Sequence, residues 1–280
     1  VALRLRVEEG EAARIGSIAV GGAASIGDEE ARGHIRPAVG EPFDPSLLER
    51  SLTALLARYN ESGYPFAQIW LTGFAYRADA NEVDLAVSVS EAERTALGRI
   101  IFEGIVKTDS VVAARISRLR PGTAYRRTDV ERSRRYLVSS GHFESVGEAR
   151  LERRGVGVAD LVIPVKDVRR TGTFQGAVGF SRKADGSYVA SGAAGLSLRN
   201  IAGSGRGAAI DWLNDGESYS RIALRFHEPF FLSRPLSVDV EMTQIVQDSS
   251  YIFSAGALSF GIPVGPATTI IAGAAADRNV

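Results

Sequence analysis

Hydrophobic and polar positions follow two rhythms along this chain, and the change falls after Asp167. Before it, a short alternating strand followed by an acidic residue occurs three times: Leu3 to Val7 with Glu9, Leu85 to Val89 with Glu91, and Leu161 to Val165 with Asp167. The copies begin 82 and 76 residues apart, a period that marks repeated modules. Each full unit also opens on an alternating run, Ile15 to Gly21 in one and Leu97 to Gly104 in the other.

Helical periodicity lies between these strands. Leu48, Leu52, Leu55 and Tyr59 share one face, with Asp44 as N-cap, Pro45 at the first helical position and Gly63 as a left-handed stop. In the second unit Thr128 and Glu131 read as a capping box, Val130 and Leu137 as the apolar face, and Gly141, 78 residues after Gly63, as the stop. Shorter helices are predicted over Asp28 to Ile35 and Asp109 to Leu119, and further strands over Ala67 to Gly73 and Val146 to Leu151. The resulting order, β-α-α-β-β, puts two helices on one face of a three-stranded sheet and leaves a strand edge open to another chain. The modules are expected over 13–91 and 96–168, with 1–10 the end of an earlier copy.

After Asp167 the chain reads as strands of about ten residues separated by turns. In Thr173 to Ser181, Phe174, Val178 and Phe180 alternate with Thr173, Gln175, Ala177 and Gly179. Ile222, Leu224 and Phe226 alternate with Arg221, Arg225 and His227, and the next strand offers Asp239 and Glu241 to those bases. Alternation suits a membrane β-barrel and a soluble β-sandwich equally. Trp212, Tyr219, Phe230, Phe231 and Tyr251, near strand ends, lean toward a barrel with aromatic girdles.

Composition narrows the function classes. The 280 residues allow roughly two domains. Lys+Arg and Asp+Glu number 33 each, so no charge excess points to nucleic acid. Without cysteine, disulfide scaffolds, thiolate metal sites and cysteine nucleophiles drop out. No apolar run of about 18 residues is present, which excludes a spanning helix and leaves a barrel untouched. A start at Val1 and a lone Met242 lead to the expectation that the native N-terminus lies upstream.

In the order and repetition of several pieces, the chain resembles the POTRA-containing outer-membrane insertases and translocases, which include BamA-like and TamA-like proteins and two-partner secretion transporters. The pieces are the strand ending in Val20-Gly21-Gly22, the helix entry Gly40-Glu41-Pro42-Phe43-Asp44, the exit Tyr59-Asn60-Glu61-Ser62-Gly63-Tyr64 and the close Val87-Ser88-Val89-Ser90-Glu91. In the second half they are Leu198 to Gly205 and Phe226-His227-Glu228-Pro229-Phe230-Phe231. The resemblance implies α+β POTRA modules followed by an antiparallel transmembrane β-barrel, of which 172–280 would supply about seven strands as an open sheet. It also implies that the C-terminal half of the barrel, with its inward-folded loop motif, lies beyond Val280. A trace of a third module favours a BamA-like or TamA-like protein.

Other motifs have ordinary readings. Gly203-Ser204-Gly205-Arg206-Gly207 lacks the Lys-Ser or Lys-Thr of a phosphate loop and reads as a hairpin turn. His34, His142 and His227 sit in separate elements, so no metal site is expected. Arg115, Arg118, Arg120, Arg126, Arg127, Arg132, Arg134 and Arg135 could face anionic lipid or an acidic partner, although a solvated helical face accounts for them too. No Gly-x-Ser-x-Gly elbow occurs. The expectation is a non-enzyme without catalytic residue, cofactor or metal.

The modules are then expected to capture unfolded outer-membrane or secreted polypeptides by adding a client strand to an exposed edge. The candidate edge residues are Ala67, Gln68, Ile69, Trp70, Leu71, Val146, Gly147 and Glu148. The first barrel strand, with Thr173, Phe174, Gln175, Gly176, Ala177, Val178 and Gly179, is the expected seam, and its glycines weaken it. Further partners would be a periplasmic or inner-membrane protein and outer-membrane lipid, with no nucleic acid. The place would be the bacterial outer membrane, modules in the periplasm. The rivals are a two-partner secretion transporter, a soluble adhesive protein built on a β-sandwich, and an enzyme with its catalytic domain upstream.

Overall fold

A computed structural model describes residues 10–182, 186–248 and 251–280. Residues 1–9, expected to end an earlier module, lie outside the described residues. Two compact units divide the chain: the first runs to Arg99 and adds Arg120–Asp129 and Glu152–Asp160, and the second takes Ile100–Leu119, Val130–Leu151 and Leu161–Val280.

The first repeat folds as β1 (Arg14–Gly21), α1 (Asp28–Gly33), α2 (Pro45–Glu61), β2 (Gln68–Arg77) and β3 (Glu82–Ser90). Its sheet has the order β1-β3-β2, with β1 parallel and β2 antiparallel to β3. The central strand buries Val83, Leu85 and Val87 against Ile15, Ile18, Ile35 and Leu48, so the two-residue period of β3 meets the helical stripe of α2. A second cluster joins Leu55, Tyr59, Ala31, Ala67 and Val89. Asp44 caps α2 by accepting from the backbone N–H of Ser46 at 2.8 Å and Leu47 at 3.1 Å. Gly63, at φ 99°, stops it.

The second repeat gives β4 (Ala96–Glu103), α3 (Ser110–Ser117), α4 (Arg127–Ser139), β5 (Phe143–Val146), β6 (Arg150–Gly155) and β7 (Val158–Asp167). Its sheet runs β4-β7-β5, with β6 also on β7. Two expectations change here. The strand predicted over Val146 to Leu151 is broken into β5 and β6, because Pro164 in the middle of β7 has no N–H for the ladder. At the break the Gly147 N–H donates to the Pro164 carbonyl at 2.8 Å. The Thr128–Glu131 capping box does not serve as a cap, since Thr128 lies inside α4 and its hydroxyl donates to Glu61.

The repeated acidic residue has a structural cause in both modules. The Glu91 carboxylate accepts the Ser25 N–H and hydroxyl, both at 2.8 Å, and the Tyr59 hydroxyl at 3.1 Å. Burial and the Glu91 carboxylate raise the Tyr59 phenol above its ordinary range. Asp167 does the same for the loop between β4 and α3, accepting the N–H of Val106 at 2.6 Å and Lys107 at 2.7 Å and the Thr108 hydroxyl at 2.6 Å. Each acid therefore closes the loop that follows the first strand of its module.

The remaining strands are β8 (Gly172–Arg182), β9 (Tyr188–Leu198), β10 (Gly207–Asn214), β11 (Tyr219–Glu228), β12 (Ser237–Gln247), β13 (Tyr251–Pro263) and β14 (Thr269–Asn279). They form one antiparallel sheet in chain order, open at β8 and β14. Register puts Phe174, Leu196, Ile210, Leu224 and Met242 in one row on one face. That face is bare, with Phe174 at 73% and Phe180 at 74% exposure. A sandwich needs a second sheet over its apolar face; among the described residues this sheet is a single layer, and its exposed apolar face suits lipid.

Candidate functional site

Three features could handle another polypeptide: the β2 edge, the β5 edge and the β8 edge. Among the described residues β2 pairs with β3 alone, so the outer edge of this ten-residue strand carries no neighbouring strand there. Ala67 precedes the strand and is buried in the core, so it offers no edge. Gln68 is exposed and Ile69 packs inward. Trp70, Leu71, Phe74 and Tyr76 are exposed along the strand. A bulge at Thr72 changes the register between Leu71 and Gly73, which brings Leu71, Phe74 and Tyr76 to the helix-bearing side of the edge. Phe74 packs there against Phe43, ring centroids 5.5 Å apart.

The β5 edge is less available. Val146 is buried, its carbonyl accepts from Arg134 Nε at 3.2 Å, and Gly147 and Glu148 fall in the break between strands. Of the two candidate module edges, β2 is the long one with a row of apolar side chains.

On the large sheet, β8 pairs along its whole length with β9, from Gly172 opposite Leu198 to Arg182 opposite Tyr188. Its other edge carries no strand among the described residues. Gly176 has a packing reason as well, since a Cβ there would sit 3.3 Å from the Phe174 ring. On the polar face His227 Nδ1 meets Asp239 Oδ1 at 2.6 Å, as the alternation predicted. Arg225 lies opposite Glu241 but bonds diagonally to Asp211 at 2.6 Å, within reach of its long side chain.

A buried polar relay joins the second module to the sheet's turns, and it was not foreseen. Asn200, at φ 52°, donates from Nδ2 to the Thr108 hydroxyl oxygen at 2.9 Å and accepts the Gly205 N–H at 2.8 Å. Thr108 in turn donates to Asp167, so Asp167, Thr108, Asn200 and Gly205 form one chain of bonds. The Asp109 N–H adds a bond to the Gly203 carbonyl at 3.0 Å. Burial pushes the Asp167 carboxyl up, but the Lys107 N–H, the Thr108 hydroxyl and the Val106 N–H outweigh it and hold the pKa below the ordinary carboxylate value. The Gly203-to-Gly207 stretch is thus a turn that seats the module, with no phosphate cradle. The only sequence signal was Asp167 itself, as the repeat's acidic marker.

Arg99 and Asp160 form a second unforeseen pair. The guanidinium forks onto Asp160 Oδ2 through Nε at 2.8 Å and a terminal nitrogen at 2.6 Å, while the Arg99 N–H reaches Oδ1 at 2.7 Å. These bonds hold the Asp160 carboxyl below its ordinary pKa. The histidines do not converge with acids into a metal-holding cluster among the described residues.

The family model for POTRA, described as the surface antigen variable number repeat, matches residues 13–92 and 95–167. The chain belongs to the POTRA family. It is 25% identical over 265 residues to a Treponema pallidum protein named for outer membrane protein assembly, covering 94% of this chain and 31% of that protein. It is 25% identical over 232 residues to the outer membrane protein assembly factor BamA of Nitratidesulfovibrio vulgaris, covering 79% of this chain and 27% of that protein. The chain therefore spans under a third of the length of these relatives. In fold it is similar to the crystal structure of BamA from Haemophilus ducreyi lacking POTRA domains 1-3, with a TM-score of 0.67 and 18% identity over 96% of this chain and 50% of that one. POTRA modules followed by an incomplete antiparallel barrel sheet are its architecture.

Proposed function

We propose that this POTRA chain is the client-handling part of an outer-membrane protein assembly machine, with residues 13–91 and 96–168 as its modules and 172–280 as the first part of its barrel. It belongs to the outer membrane, with the POTRA modules on the periplasmic side. The observation that carries the reading is the β2 edge, a ten-residue strand whose outer ladder is unpaired among the described residues, beside the exposed row of Leu71, Phe74 and Tyr76. Backbone pairing is indifferent to client sequence, whereas the apolar row selects strands that alternate, as barrel strands do. The β8 edge offers the same pairing at the level of the membrane. No step in this reading calls for a catalytic group.

Photo-crosslinkers at Gln68, Trp70 and Thr72 of the complete protein should trap unfolded outer-membrane polypeptides, and crosslinkers on the α2 surface should not. Equal adducts from both positions would refute edge capture. Proline at Ala177 should stop assembly of client barrels while the protein itself still inserts, since a seam must use its backbone.

A further inference from the structure

Within the second unit, a cavity of about 280 Å³ lies between the helices α3 and α4 and the turns that end β11 and β13. Two guanidinium groups line it. Arg115 donates to the Ser233 hydroxyl at 3.1 Å and stands 5.8 Å from the centre of the Phe230 ring. Arg118 donates to the Tyr136 hydroxyl at 3.0 Å and to the Pro263 carbonyl at 2.9 Å, with its guanidinium 4.1 Å from the Tyr136 ring centre. These bonds hold both arginines with neutral partners. Among the described residues no aspartate or glutamate lines the cavity.

Two arginines on the polar side of the sheet differ, Arg206 being paired with Glu228 and Arg225 with Asp211. A guanidinium fixed by neutral acceptors and an aromatic face keeps N–H donors for a further, charged acceptor. The two histidines of the wall add no anion, since imidazole is neutral or cationic: His227 is engaged by Asp239, and burial together with His227 holds the His142 pKa below its ordinary value, which favours its neutral form. The cavity is therefore a cationic pocket whose described lining holds no carboxylate of its own.

The wall contributed by the sheet narrows the ligand. His227 and Ser237 stand on the polar face, in register with Asp239 and Gly261, opposite the face that suits lipid. A phospholipid headgroup reaching this wall would drag its acyl chains across the polar side. Pro229, Phe230 and Pro263 give the pocket a flat apolar border, which fits an extended peptide. We propose that this cavity binds the carboxylate side chain of an acidic residue in an extended polypeptide, held by Arg115 and Arg118. The inference rests on the reading that polypeptide is handled here, but it concerns a site separate from the strand edges.

The test uses the complete protein in phospholipid nanodiscs and a fluorescent peptide carrying aspartate between proline and apolar residues, with a twin carrying asparagine. A pair of charge-assisted bonds should favour the aspartate peptide by about tenfold. The double variant Arg115→Gln/Arg118→Gln should abolish that preference, and Arg118→Lys, which keeps the charge, should retain part of it. Rising salt should erode the preference in the unaltered protein, a readout that needs no variant to fold. Equal binding of the two peptides, or an aspartate preference that survives in the double variant, would overturn the assignment. So would a pocket that takes up short-chain anionic phospholipid without preferring the acidic peptide. An aspartate preference that persists when β2 crosslinking yields nothing would leave this site standing and sink edge capture alone.

Discussion

Glu61, the last residue of α2, accepts both the hydroxyl of Thr128 at 2.7 Å and its backbone N–H at 3.1 Å, so the end of one helix satisfies the start of another. The first turn of α4 has N–H groups without helical partners by construction, and here a carboxylate from the neighbouring repeat serves that of Thr128. Glu61→Ala should cost about 1 kcal/mol, the usual loss for an N-terminal cap. Hydrogen exchange at the first-turn amides of α4 should speed up while the core of β3 stays protected. In a double-mutant cycle with Thr128→Val the two losses should not add, because both remove one interaction.

Asp167 predicts a pH dependence with a definite sign. Its folded-state pKa is lowered, so its stabilisation is full above the unfolded value of about 3.9 and is lost as pH falls through the folded value. Amide protection at Val106 to Thr108 should therefore be level above about pH 5 and collapse in stronger acid. Asp167→Asn should lower protection at neutral pH, by about 1.5–3 kcal/mol for bonds to a charged acceptor, and remove the acid transition.

Gly98 and Gly21 should answer differently to the same substitution. A Cβ on Gly98 would run into the Asp160 carboxylate that Arg99 holds in place, whereas one on Gly21 would meet nothing within 4 Å. Gly98→Ala should destabilise by about 1–3 kcal/mol through overpacking. Gly21→Ala should be nearly neutral, and thermal unfolding of the two variants side by side decides the matter.

The two faces of the sheet can be separated by one charge. Leu224 stands in the exposed apolar row, and Thr243 stands opposite Ala223 on the polar face. Leu224→Arg should impair insertion into liposomes by about 2–4 kcal/mol near the bilayer midplane, and Thr243→Arg should insert normally. Equal defects would contradict the assignment of the faces.

The modules were legible because their periodicities are local. The stripe of Leu48, Leu55 and Tyr59, the cap at Asp44 and the stop at Gly63 each act over a few residues, so spacing alone reveals them. The strand split at residues 147–149 was not legible, since its cause, Pro164, acts from the neighbouring strand. Thr128 misled for a similar reason: a serviceable local partner, Glu131, hid a better distant one, Glu61. Among the expected edge residues, Ala67 is lost to the core because a strand's first residue and its entry turn look alike in sequence.

Sequence by itself determined the repeat, the order of elements and the alternation of the last seven strands, because each follows from side-chain polarity read at a fixed local period. It also marked Glu91 and Asp167 without saying what they do. Tertiary structure alone decided that the alternating strands form one layer with a bare apolar face, since both sandwich and barrel obey a period of two. It likewise decided which groups meet: Arg225 with Asp211, Asp167 with Thr108, and, among the described residues, Arg115 and Arg118 with neutral partners. Pairing between residues far apart in the chain depends on register and on the approach of separate elements, and neither is encoded at any single position.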